Sequence, residues 1–374
     1  MTWGAGGAGW SHVVGVGMGK LAAVLVVCLL TGIAGSAAWS RPFDRTMTLK
    51  QVEPHVVRVL DDGAGHDFTD PSTFEDLKPV SLLAAGDDGS VWMTSSGGFI
   101  KIGTPGEVRN PMGTFLAQME IGPDGALWIA DADQGTTHPQ RAQGLIGRWH
   151  EGAWAIHRLP SEARVVWLDA RDDGGLDFAW RDETTLTFGE LEPGIELWTR
   201  TATPPLPLIS PDGSMAVEHT PNGQLWVAEG PWWYEDQRWE PGPLSTFDGS
   251  AWRSVQPLGD LPVRPMSLEV EPAGTLRVSW QEVSPDMWEP GATWHTTRLE
   301  EDGDWSVVNL VEDEATRRRG WCRGYAHIDG ERLTRYLDGK CLRPVAITPT
   351  GEVWAFGTDR DRKKPGIYII TPDR

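Results

Sequence analysis

From about residue 80 onward the chain alternates between short apolar runs and tight polar turns. Leu127-Trp128-Ile129-Ala130 and Leu225-Trp226-Val227-Ala228 are the clearest runs, and each follows an Asp-Gly or Asn-Gly pair. Such pairs supply the positive φ angles that hairpin turns require, and short β-rich runs bounded by turn residues read as strands. Each run with its turn therefore predicts the inner hairpin of a small antiparallel sheet.

The unit repeats. Asp88-Gly89-Ser90-Val91-Trp92 returns as Asp124-Gly125-Ala126-Leu127-Trp128, as Asn222-Gly223-Gln224-Leu225-Trp226 and as Thr350-Gly351-Glu352-Val353-Trp354. Weaker copies stand at Asp173-Gly174-Gly175-Leu176-Asp177 and Ala273-Gly274-Thr275-Leu276-Arg277. A second hairpin follows most copies, as in Leu145–Trp149 leading to Trp154-Ala155-Ile156, and Leu244–Phe247 leading through Asp248-Gly249 to Trp252. Two hairpins make a four-stranded sheet, and a repeat of such sheets predicts an all-β β-propeller. The turn glycines lie 36, 49, 49, 51 and 77 residues apart. The last gap holds an orphan hairpin, Leu333-Thr334-Arg335-Tyr336 turning at Asp338-Gly339, which reads as a degenerate blade over 315–342. Seven blades of about 44 residues are thus favoured, with six as the alternative. Val56-Val57-Arg58-Val59-Leu60 reads as a strand without a hairpin partner, predicted to complete the last blade beside Gly366–Ile370.

The chain divides into a short N-terminal segment (1–20), an apolar segment (21–39), a linker (40–55) and the propeller (56–374). Residues 21–39 carry no charge and predict a hydrophobic helix, read either as a membrane anchor or as a signal peptide ending at Ser36-Ala37-Ala38. The anchor is favoured because the apolar run extends upstream through Val13–Val16. The domain is then extracytoplasmic on a single N-terminal anchor, with secretion as the alternative. In such a compartment Cys322 and Cys341, 19 residues apart, form a disulfide candidate; two unrelated buried thiols are the other reading.

Net charge is −20, which excludes a nucleic-acid partner and leans towards cationic ligands or metal ions. The chain holds 21 Trp. Trp92, Trp128, Trp226 and Trp354 occupy equivalent repeat positions and read as packing between sheets. Four loops between second and third strands are long, Asp131–Gln143, Gly230–Pro243, Gln281–Thr293 and Gly357–Pro365, and the second and third of them hold further Trp. Trp239-Glu240-Pro241-Gly242 and Trp288-Glu289-Pro290-Gly291 share a phrase, and the first loop adds Trp232, Trp233 and Tyr234. Trp232, Trp233, Tyr234, Trp239 and Trp288 are the candidate binding residues, suited to a cell-envelope glycan or protein. The competing reading has these loops folding over and burying their own Trp. No nucleophile elbow, P-loop or CxxC is present, no cofactor is implied, and no catalytic residue can be assigned.

Ile121-Gly122-Pro123-Asp124-Gly125-Ala126-Leu127-Trp128-Ile129-Ala130, followed by Gly144-Leu145-Ile146-Gly147-Arg148, resembles the blade repeat of streptogramin-lyase-like propellers. It is also similar to the two-component-regulator propeller repeat of bacterial periplasmic sensors. The match is close over one blade and loose over 81–371. The lyase resemblance implies a seven-bladed fold and metal-assisted elimination by His and Glu on one face. No position here matches those catalytic residues, so the resemblance carries architecture only. Three functions remain open: a tethered binding or interaction module, a metal-assisted lyase or hydrolase acting at the channel, and a sensor ectodomain.

Overall fold

The repeated turn folds the same way in the five blades where it is described; the blade 5 copy, 271–274, lies outside the described residues. In the best copy the Gly122 amide donates to the Ala126 carbonyl at 2.8 Å, and the Gly125 amide donates back to the Gly122 carbonyl at 2.8 Å. The Asp124 carboxylate accepts the Ala126 amide at 2.9 Å. This is a three-residue loop with its last residue in the left-handed region, where Gly125 has φ 76°. Asp88, Asp173 and Asn222 make the corresponding side-chain bond to the residue two further on. Thr348 substitutes for it in the last copy by accepting the Glu352 amide.

The computed structural model describes residues 47–372 apart from short stretches, the longer of which are 70–79, 132–143, 209–214, 234–238, 283–293, 309–323 and 360–364. The described residues form six antiparallel blade sheets, five of them around a described copy of the turn. Blade 1 comprises Leu83–Ala85, Val91–Thr94, Gly98–Lys101 and Val108–Arg109. Blade 2 comprises Leu116–Ile121, Leu127–Asp131, Leu145–His150 and Ala153–Arg158. Blade 3 runs Arg164–Ala170, Leu176–Arg181 and Thr185–Leu191, with a broken outer edge at Thr199–Arg200 and Leu206–Pro207. Blade 4 is Met215–His219, Leu225–Glu229, Leu244–Phe247 and Trp252–Val255. Blade 5 is Val263–Val270, Leu276–Glu282, Trp294–Leu299 and Trp305–Val308. Blade 6 joins both ends of the chain: Lys340–Ile347, Val353–Asp359 and Gly366–Ile370, then Val56–Asp61 and Thr48–Glu53. Inner strands lie against one another from blade 1 through blade 5, and that of blade 6 lies against that of blade 1. The chain is a six-bladed β-propeller.

Three expectations are corrected. The blade count is six, not the favoured seven. Within 315–342 the described residues form only the two-stranded hairpin Tyr325–Asp329 with Arg332–Tyr336. It packs on blade 6 rather than standing alone: Tyr336 and Leu337 join Val56, Tyr368 and Ile370 in one buried cluster. The turn at Asp338-Gly339 leads into the inner strand of blade 6, so Cys341 lies in that strand opposite Thr358. Val56–Asp61 does pair with Gly366–Ile370, with Val56 opposite Ile370, but it also has a hairpin partner in Thr48–Glu53. The closing sheet thus has five strands and reaches back into the stretch read as linker. The apolar segment 21–39 and Cys322 lie outside the described residues. Among the described residues no helix is long and apolar enough to cross a membrane.

The core is a series of blade-to-blade seams. Trp92 and Phe99 of blade 1 bury against Met119, Leu127 and Ile129 of blade 2. Trp128 and Ile146 of blade 2 bury against Val165, Leu176, Phe178 and Trp180 of blade 3. Trp226 and Leu244 of blade 4 bury against Val263, Val278 and Trp280 of blade 5. Trp92, Trp128, Trp226 and Trp354 are all at most 5% exposed, as expected of residues filling inter-sheet seams. Two blades clamp the Trp from outside: Arg148 pairs with Asp124 and sits 5.4 Å over the Trp128 ring, while Lys101 pairs with Asp88 and sits 5.8 Å over Trp92.

Two predictions follow from local geometry. The outer hairpin of blade 2 turns at Glu151 (φ 50°) and Gly152 (φ 85°), a two-residue turn with both residues left-handed. A Glu there is strained, whereas Asn is tolerated, so Glu151→Asn should add about 1 kcal/mol. Urea unfolding of the two chains measures it.

Residues Asp61–Phe68 are held by the fully buried Asp62, which accepts the amides of Ala64, His66 and Gly103 and pairs with His66 Nδ1 at 2.8 Å. Burial alone would raise the Asp62 pKa, but these bonds outweigh it and hold it below 3.8. The bond to Asp62 in turn raises His66 above 6.5. A raised histidine contributes stability that is complete below pH 6.5 and is lost as pH rises through its folded value. The lowered carboxyl contributes stability that is lost as pH falls through its own folded value. Unfolding free energy should therefore decline above neutrality, by about 1–3 kcal/mol for this pair. His66→Gln should flatten that limb of the pH profile.

Candidate functional site

Each blade's first strand runs towards its Asp-Gly turn, and the second strand runs away from it to the opposite face. The long second-to-third-strand loops, which carry the candidate aromatic residues, therefore sit on the face opposite the Asp-Gly turns. The two faces differ in chemistry.

On the loop face, Trp232–Trp233 and Trp239–Glu240 pair as a separate two-stranded hairpin outside the blades. Trp233 stands directly opposite Trp239, and Trp232 opposite Glu240. The structure thus brings three of the five sequence-predicted residues together, while Tyr234 and Trp288 lie outside the described residues. The hairpin leaves and rejoins blade 4 through a narrow base. The Glu229 amide donates to the Pro243 carbonyl at 3.0 Å, and any Cβ on Gly242 would lie 2.0 Å from the Glu229 carbonyl oxygen. That contact gives the Gly of the Trp-Glu-Pro-Gly phrase its reason. In blade 5, at the root of the loop that holds Trp288, His295 Nε2 meets Glu282 Oε1 at 2.8 Å.

The Asp-Gly face carries a feature that the sequence reading missed. Two residues before the turn's first residue, blades 2, 3, 4 and 5 hold Glu120, Asp169, Glu218 and Glu269; blades 1 and 6 hold Ala84 and Ala346. All six positions lie on inner strands, which border the central channel. The signal was present: the acidic residues recur at spacings of 49, 49 and 51, matching those of the turn glycines. It was hidden because it falls on the strand before the conspicuous phrase.

The charges that act most strongly on Glu120 are those of Asp169, Glu218 and Asp87, from three other blades. Burial is the largest cause and these like charges add to it, pushing the Glu120 carboxyl up to about 8. Asp177 stands opposite Asp169, where four of the other blades place Trp and blade 5 places Arg277. Burial raises it as well, against the opposing pull of Arg171. Arg171 is engaged by Asp173, Asp177, Glu190 and Glu192. His219 Nδ1 lies 3.7 Å from Asp169 Oδ2, and that carboxylate raises its pKa. Carboxylates thus converge at one channel mouth with a single neighbouring imidazole. Among the described residues, however, no group of three or more His, Cys, Asp or Glu is arranged to hold a metal ion.

This arrangement defines a six-bladed propeller with an acidic channel mouth and aromatic loops on the other face. No known protein family matches the chain, and no curated protein matches it. Among solved structures it is similar to YCF48 from Cyanidioschyzon merolae, at 11% identity and a TM-score of 0.41, over 89% of this chain and 98% of that one. It is similar to a putative TolB from Agrobacterium tumefaciens at 14% identity and a TM-score of 0.38, over 61% and 79%. It is also similar to dihydro-heme d1 dehydrogenase NirN in complex with DHE, at 12% identity and a TM-score of 0.42, over 87% and 74%. These likenesses concern the fold, and no site is carried over from them.

The raised Glu120 makes a stability prediction. A carboxyl whose folded value lies above its unfolded value of 4.5 weakens the fold progressively as pH rises from 4.5 to about 8. Glu120→Gln removes that loss. The variant should match the parent near pH 4.5 and be more stable at pH 8, by on the order of a few kcal/mol. Urea unfolding at the two pH values checks this, and a variant less stable at both would contradict it.

Proposed function

We propose that this chain is an exported, membrane-tethered propeller that acts as a binding module at the bacterial cell envelope. It takes an envelope protein or glycan on its loop face, at Trp232, Trp233, Tyr234, Trp239 and Trp288. The observation that carries this reading is the separate hairpin of blade 4, which sets Trp233 beside Trp239 outside the blade sheet. Aromatic residues brought into register on a loop hairpin are the ordinary material of sugar and protein recognition. The uncharged stretch 21–39 supports tethering. A Cys322–Cys341 bridge belongs to the same exported reading. A metal-assisted lyase or hydrolase stands second, favoured by the carboxylates and His219 converging at the channel mouth.

The test is a glycan and envelope-protein screen with the full-length chain and its Trp232→Ala/Trp233→Ala variant. The double variant should lose the bound partner while its melting temperature stays within about 2 °C of the parent. A fall several times larger, with or without loss of binding, would place these residues in a core and end this site assignment. Elemental analysis and melting with and without EDTA separate the second reading: a stoichiometric metal whose removal lowers the melting temperature would favour the enzyme.

A further inference from the structure

The turn of blade 4 departs from its copies in chemistry. Blades 1, 2 and 3 hold Asp88, Asp124 and Asp173 before the turn glycine, whereas blade 4 holds Asn222 before Gly223. The chain has three Asn, at 110, 222 and 309, and only Asn222 precedes a glycine. Asn222 and Gly223 are both exposed. Before a glycine, the next backbone nitrogen reaches the side-chain carbonyl of an Asn without a Cβ in the way. The carboxylates of the other copies are ionised at neutral pH and resist the same attack.

The reaction needs only water. The Gly223 nitrogen bonds to Asn222 Cγ and loses its proton, and the Cγ–Nδ2 bond breaks to release ammonia. Water then opens the cyclic imide at either carbonyl, leaving aspartate or isoaspartate at this position. The native turn opposes the first step. The Gly223 amide is engaged, donating to the Thr220 carbonyl at 2.8 Å. Asn222 Oδ1 accepts the Gln224 amide at 3.2 Å and lies 2.7 Å from the hydroxyl of the buried Thr220, which is also 3.0 Å from the Gln224 carbonyl. These contacts direct the side-chain amide to the Gln224 nitrogen rather than to that of Gly223. Ring closure therefore requires the turn to open.

We propose that Asn222-Gly223 is a deamidation site gated by its own turn: it reacts from the open turn only, and its isoaspartate product does not reclose. The aspartate product keeps the turn, because Asp88, Asp124 and Asp173 make the same bond to the amide two residues on. Isoaspartate instead routes the main chain through the former side chain and adds one carbon between residues 222 and 223. The loop 221–223 has no slack for it, being closed by the Thr220 amide on the Gln224 carbonyl at 3.0 Å and then by the His219–Leu225 pair. The next pair is Glu218 with Trp226, the indole that fills the seam between blades 4 and 5. A turn that stays open loosens the strand that holds this indole in register. The step is one-way, from the native ring to a weakened blade 4, and it does not depend on the loop-face binding site.

The full-length chain is aged at pH 8, folded and in urea, and mapped by mass spectrometry, with an isoaspartyl methyltransferase telling isoaspartate from aspartate. Of the three Asn, Asn222 should react first in urea, and in the folded chain it should react about tenfold or more slowly, as even a small opening cost requires. Thr220→Val removes the hydroxyl contact and nearly keeps the side chain's shape. It should speed the folded-chain reaction several-fold while leaving the rate in urea unchanged. Asn222→Asp should melt with the parent, and the purified isoaspartate form several degrees below both. That comparison stands whether or not Thr220→Val folds. The proposal is overturned if the folded chain reacts as fast as the unfolded one, if Asn222 stays intact in urea, or if the isoaspartate form melts with Asn222→Asp.

Discussion

The structure depends on the pairing of Val56–Asp61 with Gly366–Ile370. A propeller blade is a small sheet that cannot bury its own faces, so it survives only with a neighbour on each side. In a linear array the two end blades would each leave one face in water. Here the last blade takes its first three strands from the C-terminal end of the chain and its outer two from the N-terminal end. Ladder bonds from Val56↔Ile370 to Val59↔Ile367 tie residues more than three hundred positions apart. The His55–Tyr336 ring contact and the bond from the Leu337 amide to Glu53 fasten the preceding hairpin to the same blade. Closure costs loop entropy once, and that cost grows only slowly with loop length. In exchange the blades at the two chain ends gain neighbours, and inner-strand positions 49 or 51 residues apart come to face a common channel.

How much of this was legible follows from where each signal is written. Turn geometry is local, so Asp124-Gly125 and its copies announced both the hairpins and their spacing. The seam-filling role of Trp92, Trp128, Trp226 and Trp354 was legible for the same reason, because equivalent positions in a repeat meet equivalent surroundings. Blade count was not local. A two-stranded hairpin with a turn glycine, Arg332–Tyr336 leading to Asp338-Gly339, carries the same short-range signs as half a blade. Only tertiary packing decides that Tyr336 and Leu337 join the closing blade's cluster. The fifth strand, Thr48–Glu53, escaped because TLKQVE is mostly polar and exposed, as an outermost strand can be.

The candidate sites divide along the same line. Aromatic loop residues are conspicuous by composition, and the pairing of Trp233 with Trp239 required only a local hairpin. The acidic mouth needed the ring. Glu120, Asp169 and Glu218 are ordinary strand carboxylates until closure turns a spacing in sequence into proximity in space. Asp177 and Arg277, which looked like decay of the Trp motif, have a different meaning once the sheet is closed. Each stands opposite an inner-strand acid, at Asp169 and Glu269, in the two blades where a charge replaces the packing indole.

The fold gains nothing in stability from Glu120. Burial and the like charges of Asp169, Glu218 and Asp87 both disfavour its ionised form. A glutamine there, or the alanine that blades 1 and 6 use at the same position, would pack without that penalty. Structural carboxylates elsewhere in the chain show the contrast. Asp62 is fully buried but accepts three amides and a histidine, and its pKa falls; Glu120 receives no comparable support, and its pKa rises. Asp62 has its partners built into the surrounding loop, whereas Glu120 keeps one backbone amide, that of Ile121, and some exposure to solvent.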